Sequence, residues 1–206
     1  MPIAVTEMPY RPVPIDPPRK RWTREECAVL ETLAPWDHQR LELIDAELIN
    51  KMGPPRRHTI ALTAVLGWLI QVFEGKYVNS YAPIDVAPED NPTSEPQPDL
   101  IVLAKPSWEI RDANPQPSDL RLVVEISDST LGFDLTTKAA LYARAGIADY
   151  WVLDVAARRL IVHRDPRNGL YQSITAYSEH EAVAPLAAPD REFRVGEAFP
   201  GSGPVG

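Results

Sequence analysis

Two short apolar runs, each with a carboxylate at one end, set the strongest limit on what this chain can build. Asp99 follows Pro98 and opens the run Leu100, Ile101, Val102, Leu103. Glu125 closes the run Leu120 to Val124 and is followed by Ile126 and Ser127. Both runs read as strands. Lys138 lies in the next segment, which reads as a helix. A carboxylate left unpaired in an apolar run is costly to bury, so Glu125 calls for a metal or a cationic side chain. Two carboxylates on neighbouring strands and one lysine suffice to hold a hard divalent cation and polarise a phosphate.

The remaining bounds are simple. A chain of 206 residues makes one well-packed α/β domain and is short for two. Its 44% hydrophobic content suits a soluble globular protein. No run approaches 18 apolar residues, so no membrane span is expected. The N-terminus has no apolar signal core, and the single cysteine, Cys27, has no partner for an internal disulfide. A cytoplasmic location is the expectation, and zinc held by several thiolates is excluded. The net charge of −8 runs against nucleic-acid binding, which draws on Lys and Arg. The charge is uneven, however. The first 24 residues carry Arg11, Arg19, Lys20, Arg21 and Arg24 against Glu7 and Asp16. Solvated charge on a tail is the plainer reading of that arm, and contact with DNA the sharper one.

Along the chain, residues 1–21 form a proline-rich lead without apolar periodicity, expected to be extended or disordered. Thr23, with Glu26 three residues on, predicts a capped helix through Leu33. Leu41 to Ile49 predicts a strand, a turn at Asp45-Ala46 and a second strand, ended by Pro54-Pro55. Ile60 to Glu74 has helical spacing, with Gly75 as the terminating residue. Strands are expected at 77–87, 99–104 and 120–126, with loops at 88–98 and 106–118 between them. A helix from Asp134 to Ala145 is closed by Gly146. Tyr150–Asp154 and Leu160–Arg164 predict a hairpin, and 170–177 a further strand. The order suits a mixed central β-sheet flanked by helices, an α/β fold over residues 22–200 with a short tail at 201–206.

The passages Leu41 to Leu48, Gln97-Pro98-Asp99, Val124-Glu125-Ile126-Ser127, Asp134 to Lys138, Tyr142 to Gly146 and Asp149 to Asp154 together are specific. In this combination the chain resembles the Uma-type restriction endonuclease family of the PD-(D/E)XK nuclease superfamily, over roughly residues 22–200. The resemblance implies a restriction-endonuclease-like core. It implies that Asp99 and Glu125 are metal ligands. The superfamily's lysine usually stands two residues after the second carboxylate, where this chain has Ser127. In families of this kind it comes from the following helix, and Lys138 is the match. Glu42 matches an upstream acidic residue that can complete the metal site. Relatives usually carry Gly between Asp45 and Glu47, and Ala46 departs from that, a change expected to alter the turn because Ala accepts a positive φ less readily.

The chemistry follows from the residues as well. Phosphodiester hydrolysis needs an activated water and neutralisation of the anion that forms. Mg²⁺, with Mn²⁺ as a substitute, does both when carboxylates hold it and leave sites for water and phosphate. Asp99 and Glu125 can meet only if the sheet brings those strand ends together, as in an antiparallel pair. An ammonium nearby would oppose the transition-state charge. The expected function is metal-dependent cleavage of DNA, with Asp99, Glu125 and Lys138 as catalytic residues and Glu42 as a further ligand. A homodimer is expected, through an edge presented by the Tyr150–Arg164 hairpin. The alternative is a nuclease-fold module that binds DNA or a protein without cutting. His58, beside Arg56 and Arg57, reads as a surface residue, with a general base as the sharper possibility. Asp134 reads as a helix cap, Tyr142 and Tyr150 as core, and His163 as an outward-facing structural residue. A serine nucleophile is unsupported, since no Gly-x-Ser-x-Gly elbow surrounds Ser127 or Ser129.

Overall fold

The computed structural model describes residues 18–32, 41–50 and 55–199. The lead before residue 18, the expected helix end at Leu33, Pro54 and the 201–206 tail lie outside them. The first element is α1 (Arg24–Glu31), and its capping box is formed as the sequence predicts. The Thr23 hydroxyl accepts from the Glu26 N–H at 3.2 Å, and the Glu26 carboxylate accepts from the Thr23 N–H at 3.1 Å. Next, β1 (Leu41–Ile44) and β2 (Glu47–Asn50) pair antiparallel. In their turn both residues take a positive φ, 47° for Asp45 and 64° for Ala46.

After α2 (Arg56–Phe73) come six strands: β3 (Val78–Ser80), β4 (Leu100–Leu103), β5 (Leu120–Ser127), β6 (Asp149–Asp154), β7 (Arg159–Arg167) and β8 (Leu170–Ser178). They form one sheet in chain order. Every neighbouring pair is antiparallel except β5 and β6. That pair is parallel because a helical crossover joins it. The crossover runs through α3 (Leu131–Phe133), a π-helical turn (Asp134–Lys138) and α4 (Ala139–Arg144). Short strands β9 (Ala182–Val183) and β10 (Phe193–Arg194) make a separate pair.

All residues of β4 and β6 are buried, so the sheet is covered on both faces at its centre. On one face Leu62, Val65 and Leu69 of α2 pack over Leu100, Val124 and Trp151. On the other, Leu141 and Tyr142 of α4 pack over Ile101, Val123 and Val152. Side chains alternate along a strand, so Asp99 shares the face of Ile101, and Glu125 that of Val123. Both carboxylates therefore point to the face that carries the crossover helix.

Some boundaries differ from expectation. The left-handed residue after α2 is Glu74, at φ 66°, not Gly75. The strand expected over 77–87 stops at Ser80, because Tyr81 turns the backbone to φ 54°. Gly146 does close its helix with a positive φ of 74°. The β6–β7 hairpin forms, but β8 covers its outer edge. His163 does not face outward: it is buried against Tyr150 and Tyr171.

Candidate active site

The antiparallel register of β4 and β5 sets Leu100 opposite Val124, which brings Asp99 opposite Glu125 one step further along. The Asp99 carboxylate turns back onto its neighbour strand, where its Oδ2 accepts from the Ile126 N–H at 2.7 Å. Glu125 Oε1 accepts from two donors, Lys138 Nζ at 2.9 Å and Tyr142 Oη at 3.1 Å. Both donors come from the crossover helix. Lys138 and Tyr142 are four residues apart and so share a helix face.

Lys138 is only 1% exposed, so it is no solvated surface lysine. Its Nζ lies 2.9 Å from Glu42 Oε1 and 4.0 Å from Asp134 Oδ1. Glu42, on β1, also accepts from the Gln97 N–H through Oε2 at 3.1 Å. Asp134 accepts from the Thr130 hydroxyl at 2.6 Å. The π-helical turn spans Asp134–Lys138, so both of its ends are site residues. Such turns recur at functional sites. His58 reaches in from the first turn of α2. Its Nε2 lies 3.4 Å from Asp99 Oδ2, and its Nδ1 is buried without a hydrogen-bond partner among the described residues.

Three carboxylates, on Glu42, Glu125 and Asp134, are thus buried around one buried ammonium, and Asp99 is buried on the facing strand. Burial alone would pull the Lys138 pKa down, but the carboxylates of Glu125, Glu42 and Asp134 outweigh it and hold the group well above the ordinary lysine range. Burial lifts the Asp134 carboxyl above its ordinary value, more than Lys138 and the Thr130 hydroxyl lower it. Burial, then the Glu125 charge, raises the Tyr142 phenol, which therefore serves as a hydrogen-bond donor.

The structure brings together all four residues singled out in the sequence: Asp99, Glu125, Lys138 and Glu42. Three others join them that the sequence reading placed elsewhere. Asp134 is a buried member of the cluster rather than a cap, Tyr142 is a ligand of Glu125 as well as core, and His58 is buried rather than at the surface. The spacing of Asp134, Lys138 and Tyr142 at four residues was a visible signal for two of them. Nothing local marks His58. Ser127 is fully buried and lies near Thr130, with 3.5 Å between the hydroxyls. Among the described residues no three His, Cys, Asp or Glu side chains converge as a ready metal cage. The donors that Asp99 and Glu125 offer are hard oxygens, which suits Mg²⁺. That ion keeps several waters and needs only one or two carboxylates from a protein.

The sequence pattern of the Uma2 family, described as "Putative restriction endonuclease", matches residues 30–196. Among solved structures the chain is similar to a protein of Anabaena variabilis described as a putative nuclease belonging to DUF820. That likeness has a TM-score of 0.59 at 15% identity and covers 77% of this chain and 89% of the other. It shows the same fold, a mixed central sheet flanked by helices. No curated protein matches the chain. The match of the family pattern over most of the sequence settles kinship, and the chain belongs to the Uma2 family.

Proposed function

We propose that the protein is a metal-dependent endonuclease that hydrolyses phosphodiester bonds of DNA. The observation that carries this reading is the placement of Asp99 and Glu125 at facing ends of β4 and β5, with the buried Lys138 ammonium beside Glu125. Hard carboxylate oxygens set close together in this way suit a divalent cation that serves phosphate chemistry. Asp99 and Glu125 would hold Mg²⁺ or Mn²⁺. Such an ion, when bound, lowers the pKa of a coordinated water and neutralises phosphate charge. The family description and the nuclease-like neighbour support the same class of reaction.

The chain's own residues then have distinct tasks. Asp99 is fixed by the Ile126 N–H, so its carboxylate is oriented before anything binds. Tyr142 fixes Glu125 in the same way. Lys138 places a permanent positive charge beside Glu125, where it opposes the negative charge that grows on the phosphorane. Water oxygen forms the new bond to phosphorus and gives up a proton to solvent, while the bond to the leaving deoxyribose oxygen breaks and that oxygen takes up a proton from solvent.

The test is cleavage of supercoiled, linear and single-stranded DNA with Mg²⁺ or Mn²⁺. The unmutated protein should cut at least one form, and Asp99→Asn and Glu125→Gln should each lose the activity and the Mn²⁺ affinity. The same ions should raise the melting temperature of the unmutated protein and not of the two variants, because a ligand bound only by the folded state stabilises it. Absence of cleavage on every substrate, together with no thermal response to either ion, would overturn the reading in favour of a non-catalytic binding module.

A further inference from the structure

Glu42 is the acidic residue whose task the residue types leave most open. It is 3% exposed, and both of its carboxylate oxygens are engaged. Oε1 faces Lys138 Nζ at 2.9 Å, and Oε2 accepts from the Gln97 N–H at 3.1 Å. Gln97 holds the same strand a second time, through its side-chain amide, which donates to the Leu41 carbonyl at 3.2 Å. Glu42 is therefore locked on one side to the segment that leads through Pro98 into Asp99. On its other side it presents an oxygen to the ammonium.

Lysine is a poor positioning group on its own. Its charge sits on a flexible four-carbon stem with three rotatable donors. Held by one carboxylate alone, the ammonium could swing about that contact. Here it is held between two, Glu125 on β5 and Glu42 on β1, at equal distances of 2.9 Å. The two carboxylates belong to different sheets, so the bridge fixes Lys138 in space rather than merely pairing it.

We infer that Glu42 is a positioning residue for Lys138, not a ligand of the metal: it anchors the ammonium between β1 and β5 and ties that anchor to the Gln97-Pro98-Asp99 segment. The part of the inference that concerns rates rests on the nuclease reading above. The part that concerns Lys138 itself does not. An error of about 1 Å in a catalytic group can cost on the order of 100-fold in rate, so loss of the anchor should be felt in turnover.

The test uses the full chain and the variants Glu42→Gln, Lys138→Met and the double variant. Three quantities are read: Mn²⁺ affinity by calorimetry, single-turnover cleavage of DNA, and the ¹⁵N-resolved NMR signal of the Lys138 ammonium. Glu42→Gln should leave Mn²⁺ affinity within about threefold and lower the cleavage rate by roughly 10- to 100-fold. It should also abolish or broaden the ammonium signal that the unmutated protein shows. The double variant should cleave no more slowly than Lys138→Met alone, because Glu42 acts through Lys138. It also removes both partners of the bridge, so it remains informative where Glu42→Gln alone folds poorly. A tenfold or greater loss of Mn²⁺ affinity in Glu42→Gln would overturn the inference and make Glu42 a ligand. An unchanged ammonium signal would overturn it as well. If the unmutated protein cuts nothing, the nuclease reading fails, and the ammonium signal still decides whether Glu42 holds Lys138.

Discussion

At the scale of single residues, the two ends of the π-helical turn carry the clearest consequences. Lys138 sits among buried carboxylates, so its removal leaves charges without a partner. Breaking a buried pair from one side typically costs about 3–5 kcal/mol, far above the few tenths expected of a solvated pair. Lys138→Met keeps most of the stem's packing and deletes the charge. It should therefore lose about 3–5 kcal/mol in urea unfolding at neutral pH and slow cleavage by roughly 10²- to 10³-fold. A variant as stable as the parent, or as fast, would contradict the role given to the ammonium. Asp134 predicts the opposite sign. Burial raises its carboxyl above the ordinary value of 3.8, despite Lys138 and Thr130. The folded chain then binds this proton more tightly than the unfolded chain does. Its contribution to stability is complete below the unfolded value and is lost as pH rises through the raised one. Asp134→Asn retains an oxygen to accept from Thr130 and cannot ionise. Unfolding free energies measured from pH 3.5 upward should decline less steeply with pH in this variant than in the parent, and parallel curves would refute the assignment.

At the scale of elements, what the sequence made legible was what depends on neighbours in the chain. The apolar runs at Leu100 and Leu122, the helical spacing of Leu62, Val65 and Leu69, the Thr23–Glu26 box and Gly146 all act locally, and all are found. Asp99 and Glu125 were legible because each ends an apolar run, and an antiparallel register then had to bring them together. The π-helical turn was not legible, since four-residue spacing of Asp134 and Lys138 is compatible with an α-helix too. Nor was the burial of His58, which depends on where α2 docks relative to β4. The strand that stops at Ser80 was missed because a positive φ at Tyr81 is not a property that tyrosine announces. The turn at Asp45-Ala46 shows how small terms settle such cases. Alanine in the left-handed region costs about 1–2 kcal/mol. Replacing it by glycine would relieve that, but would forfeit about 0.5–1 kcal/mol of chain entropy and about 0.8 kcal/mol for one buried methyl. Ala46 is 1% exposed, so the methyl contribution counts in full. Ala46→Gly should therefore shift stability by no more than about 1 kcal/mol in either direction. A larger change in denaturant unfolding would show that one of these terms is misjudged.

At the scale of the whole molecule, the sheet decides how copies can meet. The hairpin expected to present a free edge lies inside the sheet, with β8 on its outer side. The edges of the sheet among the described residues are β3, three residues long, and β8, nine residues long. An edge strand is a template for further pairing unless charge, proline or a bulge blunts it. The segment Leu170–Ser178 holds no charged residue and no proline, and its pairing to β7 keeps one constant register. Leu170 and Ile174 are 62% and 60% exposed. In a protein of net charge −8, an uncharged edge is a place where two copies meet without repulsion. Two copies paired antiparallel through β8 would be related by a twofold axis, the commonest closed arrangement. Cutting both strands of a duplex calls for two sites so related. Light scattering should accordingly return twice the chain mass of 23.0 kDa. Ile174→Lys, which places a charge in the middle of the edge, should return a single chain mass while keeping the near-ultraviolet signature of the folded core. On supercoiled DNA it should shift the first product from linear to nicked circles. A monomer mass for the unmutated protein across a wide concentration range would remove the dimer. A dimer that survives Ile174→Lys would place its interface away from β8.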